Sequence, residues 1–77
     1  GTDYEQYTPA VVQAVDEYWD TQDADGVAYA MEKDFPEDYR PHFVYEAIKH
    51  SLLKSDHQRE QLADLFFSPE LDTMLNK

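Results

Sequence analysis

The sequence predicts an all-α fold, and three observations predict it. Apolar residues recur at intervals of three and four through most of the 77-residue chain. Prolines and short polar side chains fall where helices would begin. No alternating run of β-branched residues competes for a strand.

Each element can be justified in turn. Thr8 offers a cap, and Pro9 suits the first helical position, where its missing N–H costs nothing. Val11, Val15, Tyr18 and Trp19 then fall at i, i+4, i+7 and i+8, one face of a helix that ends near Asp20 and Thr21. A second helix opens with Asp23 as its cap and places Val27, Ala28 and Met31 on one stripe, with Ala30 beside them. It stops before Pro36, because the residue ahead of a proline is pushed out of the α region.

Following Pro41, a third helix carries Val44, Ala47, Ile48, Ser51 and Leu52 as an apolar stripe, with Glu46 and Lys49 on the polar side. Ser55-Asp56-His57-Gln58 reads as a capping box in which Ser55 and Gln58 satisfy each other's free amides. It opens a fourth helix with Leu62, Leu65 and Phe66 on its stripe. Ser68-Pro69-Glu70 starts a short fifth helix through Leu71, Met74 and Leu75.

Loops of two to five residues fold consecutive helices into antiparallel hairpins. Two such hairpins can stack in the manner of HEAT-like repeats, or close into a compact four-helix arrangement. Pattern alone leaves both open. The expectation is one helical-hairpin domain over residues 1–77, with residues 1–7 as a flexible lead-in. Its expected core is Val15, Trp19, Met31, Val44, Ile48, Leu62 and Phe66, and Ile48→Ala is expected to cost about 2–5 kcal/mol.

Charge narrows the class of partner. The net charge is −11, and it is uneven. Residues 1–38 hold 11 acids and one base (Lys33), whereas residues 39–77 hold six acids and five bases. Such a surface repels phosphate backbones, so direct nucleic-acid binding is not expected and a basic protein partner suits it better. With 42% hydrophobic and 14% aromatic residues at helical spacing, the chain is not a disordered acidic tail. It has no cysteine, no apolar run of bilayer length and no leading signal segment. These features suggest a soluble intracellular protein, in the cytoplasm or the nucleus.

Chemistry-bearing motifs are sparse. Residues Thr21 to Glu32 approach an EF-hand loop, with Asp23 at position 3, Asp25 at 5, Gly26 at 6 and Glu32 at 12. Position 1 is Thr21 where the motif requires aspartate, and the stretch from Val27 reads as helix, so no metal site is expected. There is no cysteine nucleophile, phosphate-cradling glycine loop or G-x-S-x-G. His42 and His50 lie two turns apart, about 12 Å along a helix axis, too far to share one ion. Neither catalysis nor a cofactor is expected. The candidate partner-binding residues are Asp34, Glu37, Asp38 and Arg40 around Pro36, in the turn that joins the two hairpins. A loop held between rigid helices is a favourable place for recognition. The plainer alternative pairs Arg40 with Glu37 or Asp38 and makes the turn merely solvated.

Residues 12–67 carry a family resemblance. Its features are Glu17-Tyr18 closing the first helix, Asp23 at the next cap, a turn ending in Phe35-Pro36, the run Val44-Tyr45-Glu46-Ala47-Ile48, and Asp56 to Glu60 opening the fourth helix. In this order and spacing the stretch resembles the MA-3 domain, found in programmed cell death protein 4 and in the C-terminal part of initiation factor 4G. The resemblance implies stacked helical hairpins, with the chain either the N-terminal part of a longer domain or a shortened relative of it. It also implies binding to the DEAD-box RNA helicase of translation, initiation factor 4A. A small acidic adaptor for an unrelated basic protein or peptide, and a calcium-binding helix pair, are the alternative readings.

Overall fold

The computed structural model describes residues 3–75, and every element among them is helical. A 3-10 helix over Asp3–Tyr7 leads into α1 (Thr8–Thr21). Then come α2 (Ala24–Asp34), a second 3-10 turn (Glu37–Tyr39), α3 (Arg40–Ser51), α4 (Asp56–Phe67) and α5 (Pro69–Leu75).

The ends follow from local chemistry. α1 closes with Gln22 in the left-handed region at φ 60°, its N–H donating to the Tyr18 carbonyl at 2.7 Å. A side chain other than glycine pays about 1–2 kcal/mol for that conformation. The Gln22 side-chain amide offsets this by donating to the Tyr18 and Trp19 carbonyls. The turn delivers Asp23 to the start of α2, where its carboxylate accepts from the Gly26 N–H at 3.2 Å, as expected of a cap. Ser55 and Gln58 form the reciprocal capping box at α4.

Two expectations at the N-terminus are corrected. Thr8 lies inside α1 and makes no cap, because the preceding 3-10 helix already supplies a helical turn ahead of it. The lead-in is ordered structure over Asp3–Tyr7, where Tyr4 and Tyr7 pack edge-on and tilted against Tyr39 at 5.1 and 4.8 Å between ring centres. Gly1 and Thr2 of that lead-in lie outside the described residues.

α1 is the hub. It packs against α2, α3 and α4, while α5 returns to lie against α2 as well as α4. Two hairpins, α1–α2 and α3–α4, therefore sit side by side and α5 ties the far end of the second to the first. Trp19 joins them, donating its indole N–H to the Gln58 carbonyl at 2.9 Å and stacking on His50. The His50 ring also meets the Asp16 carboxylate at 3.0 Å.

Of the expected core, Val15, Met31 and Leu62 are buried, and Trp19, Val44 and Phe66 are half-buried. Ile48 is the correction. It is 48% exposed, because the side of α3 turned inward is the row Tyr39, Phe43, Ala47 and Ser51. Small side chains at 47 and 51 let the neighbouring helices approach that row closely, leaving Val44, Ile48 and Leu52 at the edge. Phe35 stacks on Tyr39 and meets Phe43 edge-on, both at 5.3 Å between ring centres, and the three form the aromatic centre beneath the α2–α3 connection.

Candidate functional site: an acidic turn on an aromatic footing

The α2–α3 connection alternates in burial, and the alternation builds a site. Phe35, Tyr39 and Arg40 point inward and are buried, whereas Asp34, Pro36, Glu37 and Asp38 are exposed. Pro36 holds its fixed φ at −66° with an extended ψ of 153°, which ends α2 and redirects the chain. The Tyr39 N–H then donates to the Pro36 carbonyl at 3.0 Å, closing the 3-10 turn that starts α3. Aromatic packing on both sides of the proline fixes where the three carboxylates stand.

Their electrostatic roles differ. Glu37 and Asp38 sit at the start of a helical segment, where the partial positive charge of free N–H groups favours acids. Asp38 also accepts a hydrogen bond from the Tyr4 hydroxyl at 3.3 Å. Asp34 occupies the last position of α2, where the macrodipole disfavours a carboxylate by about 0.3–1 kcal/mol. Helix stability gives no reason for an acid there.

Arg40 does not belong to the exposed site. It is 9% exposed and pairs with neither Glu37 nor Asp38; its guanidinium donates to the Met74 carbonyl in α5 at 3.3 Å, and its Nε has no partner. A side chain so placed ties α3 to α5, and with Glu37 it lines a cavity of about 430 Å³. Arg40 thus pairs with none of the three carboxylates, and the neighbouring Lys33 lies over the Tyr29 ring.

The other sequence candidates separate in space. The Asp23 carboxylate is spent on capping, and Ala24–Asp34, which includes most of the near-match to a calcium loop, is regular helix. Among the described residues no group of three or more His, Asp or Glu converges where a metal could sit. His42 pairs with Glu46 on its own helix at 3.4 Å, whereas His50 reaches Asp16 on α1. No helix among the described residues is long and apolar enough to cross a membrane. Sequence reasoning missed the buried Tyr39, whose hydroxyl has no hydrogen-bond partner, although its spacing four residues from Phe35 and Phe43 was a signal. No protein-family model matches the chain, and comparisons with curated proteins and with solved structures find no match.

Proposed function

We propose that the chain is a non-catalytic protein-interaction module that recognises a basic protein surface through Asp34, Glu37 and Asp38. The observation that supports this reading is the exposed, unneutralised acidic triplet held on buried Phe35, Tyr39 and Arg40. A rigid scaffold presents the charges in a fixed geometry, so little conformational entropy is lost on binding. The partner then presents lysine or arginine, and complementary charge contributes most to encounter rate and specificity. The MA-3 resemblance directs the proposal to translation control, with a DEAD-box helicase of the initiation factor 4A type as the partner.

The test is a triple charge reversal, Asp34→Lys with Glu37→Lys and Asp38→Lys, assayed by pull-down and titration against that helicase. Binding should weaken at least tenfold and should also fall as salt shortens the screening length below about 10 Å. The melting temperature should hardly move, since all three side chains are exposed. Equal binding by the folded triple variant overturns the acidic turn as the docking surface. Loss of binding to a different basic protein, with no helicase binding by either form, favours an acidic adaptor for an unrelated partner.

A further inference from the structure

A cavity of about 430 Å³ opens where the start of α3 meets the end of α5. Glu37, Arg40, Pro41, Val44, Met74 and Leu75 line it. Its size falls in the range of about 300–1,000 Å³ common to small-molecule sites. Four of the six side chains are apolar, and the other two carry opposite charges.

Those two charges share a wall without neutralising each other. Glu37 and Arg40 stand at i and i+3 across a 3-10 turn, a spacing at which side chains eclipse. Among the described residues neither Glu37 nor any other carboxylate forms an ion pair with Arg40. Arg40 is only 9% exposed; its Nη1 donates to the Met74 carbonyl at 3.3 Å, and its Nε has no partner. The Nε–Nη2 edge of the guanidinium, which can fork onto a carboxylate, is left unused. A buried cation ordinarily has a counter-charge, because desolvation without one is costly. The described fold supplies none.

We infer that the cavity binds an apolar α-amino acid, with its carboxylate on the Nε–Nη2 edge of Arg40, its ammonium on Glu37 and its side chain against Val44, Met74 and Leu75. Each charge weighs against a simpler ligand. A plain carboxylate or a phosphate would gain Arg40 but meet Glu37 and the net −11 of the chain. A plain amine would gain Glu37 but bring a second cation beside Arg40 and leave it without a counter-charge. A zwitterion satisfies both groups. With one helical turn between Glu37 and Arg40, charges borne on a single carbon fit better than those of a long zwitterion. The apolar wall then selects among amino acids, since a leucine or methionine side chain placed there leaves water and glycine has none to place. Glu37 alone is common to this site and the acidic turn.

Nuclear magnetic resonance on the isotope-labelled chain tests this, because the Arg40 Nε–H gives a signal of its own. Titration with L-leucine or L-methionine should move that signal and the Val44 and Leu75 amide signals saturably. Isocaproate (leucine without its ammonium), isoamylamine (leucine without its carboxylate) and glycine should each bind at least tenfold more weakly. Glu37→Gln changes an exposed side chain and should leave the melting temperature unmoved. It should weaken leucine binding at least tenfold and leave isocaproate binding no weaker. Asp34→Lys with Asp38→Lys should leave leucine binding unaltered, so this site and the acidic-turn reading can fail separately. No saturable movement of the Arg40 signal with leucine or methionine overturns the inference. Isocaproate binding as tightly as leucine overturns it too and assigns the cavity to carboxylates alone. Equal leucine binding by Glu37→Gln removes the ammonium contact and with it the amino-acid assignment.

Discussion

Two rows of side chains on α3 are one residue out of phase and have opposite fates. Phe43, Ala47 and Ser51 are buried against the rest of the fold, whereas Val44, Ile48 and Leu52 border an open trough. The open row is the more apolar of the two. Hydropathy therefore did not choose the inward side; the fit of neighbouring helices did. Ala47 and Ser51 permit a close approach that a row of larger side chains would hold apart, and Ser51 meets its own polar need by donating to the Ile48 carbonyl at 2.7 Å. Burial and exposure are thus separated by about 100° of helix rotation.

The sharpest way to break this contrast is Phe43→Ala. Phe43 is fully buried and packs edge-on against Phe35. Its truncation should cost about 3–5 kcal/mol, since the lost transfer energy adds to a cavity that a tight aromatic cluster cannot fill. A domain of 77 residues has about 4–12 kcal/mol in total, so the variant should be largely unfolded at moderate urea. A loss below about 1 kcal/mol would mean that the inward row had been assigned to the wrong side of α3.

The same contrast shows how far the sequence could be read. Helix ends were legible because capping is local: Asp23, the Ser55–Gln58 pair and the prolines at 9 and 69 act within four residues of themselves. The stripe read over residues 44–52 spans both rows, so it contains Ala47 and Ser51, which are buried, together with Ile48, which is not. Periodicity finds an amphipathic helix but does not fix the rotation of a helix that is apolar on two adjoining sides. The acidic turn was legible as three acids around a proline. The fate of Arg40 was not, because its acceptor is the Met74 carbonyl, 34 residues away on a helix that folds back. Tyr4 and Tyr7 form too short a segment for a period to be seen.

Tyr39 begins the inward row and gives a smaller effect of opposite sign. It is fully buried with a hydroxyl that has no hydrogen-bond partner, so Tyr39→Phe should stabilise the fold by about 1 kcal/mol. Burial raises the Tyr39 pKa above its ordinary 10.0, with smaller contributions from the charge of Glu46 and from Tyr7. Tyr18 is raised as well, by burial and then by Asp64. The folded state thus holds these protons more tightly than the unfolded chain does. Stability is fully present below the unfolded value and falls as pH rises through the folded ones. Urea melts at neutral and strongly alkaline pH should show a decline that is shallower in Tyr39→Phe, with Tyr18 supplying the remainder. An unchanged alkaline slope would place the tyrosine titration elsewhere.

Ile48→Ala should give the smallest effect, and its size separates the two rows most finely. A fully buried isoleucine truncated to alanine loses about 2–5 kcal/mol, much of it from the cavity left behind. At 48% exposure Ile48 borders an open trough, so no closed cavity forms and only about half of its transfer energy is at stake. Alanine also has a better helix propensity than isoleucine by a few tenths of a kcal/mol, which offsets part of the loss. The net change should be about 1 kcal/mol or less, read as a small shift in urea midpoint at constant m. A stability loss above about 2 kcal/mol would return Ile48 to the core and close the trough that its exposure opens.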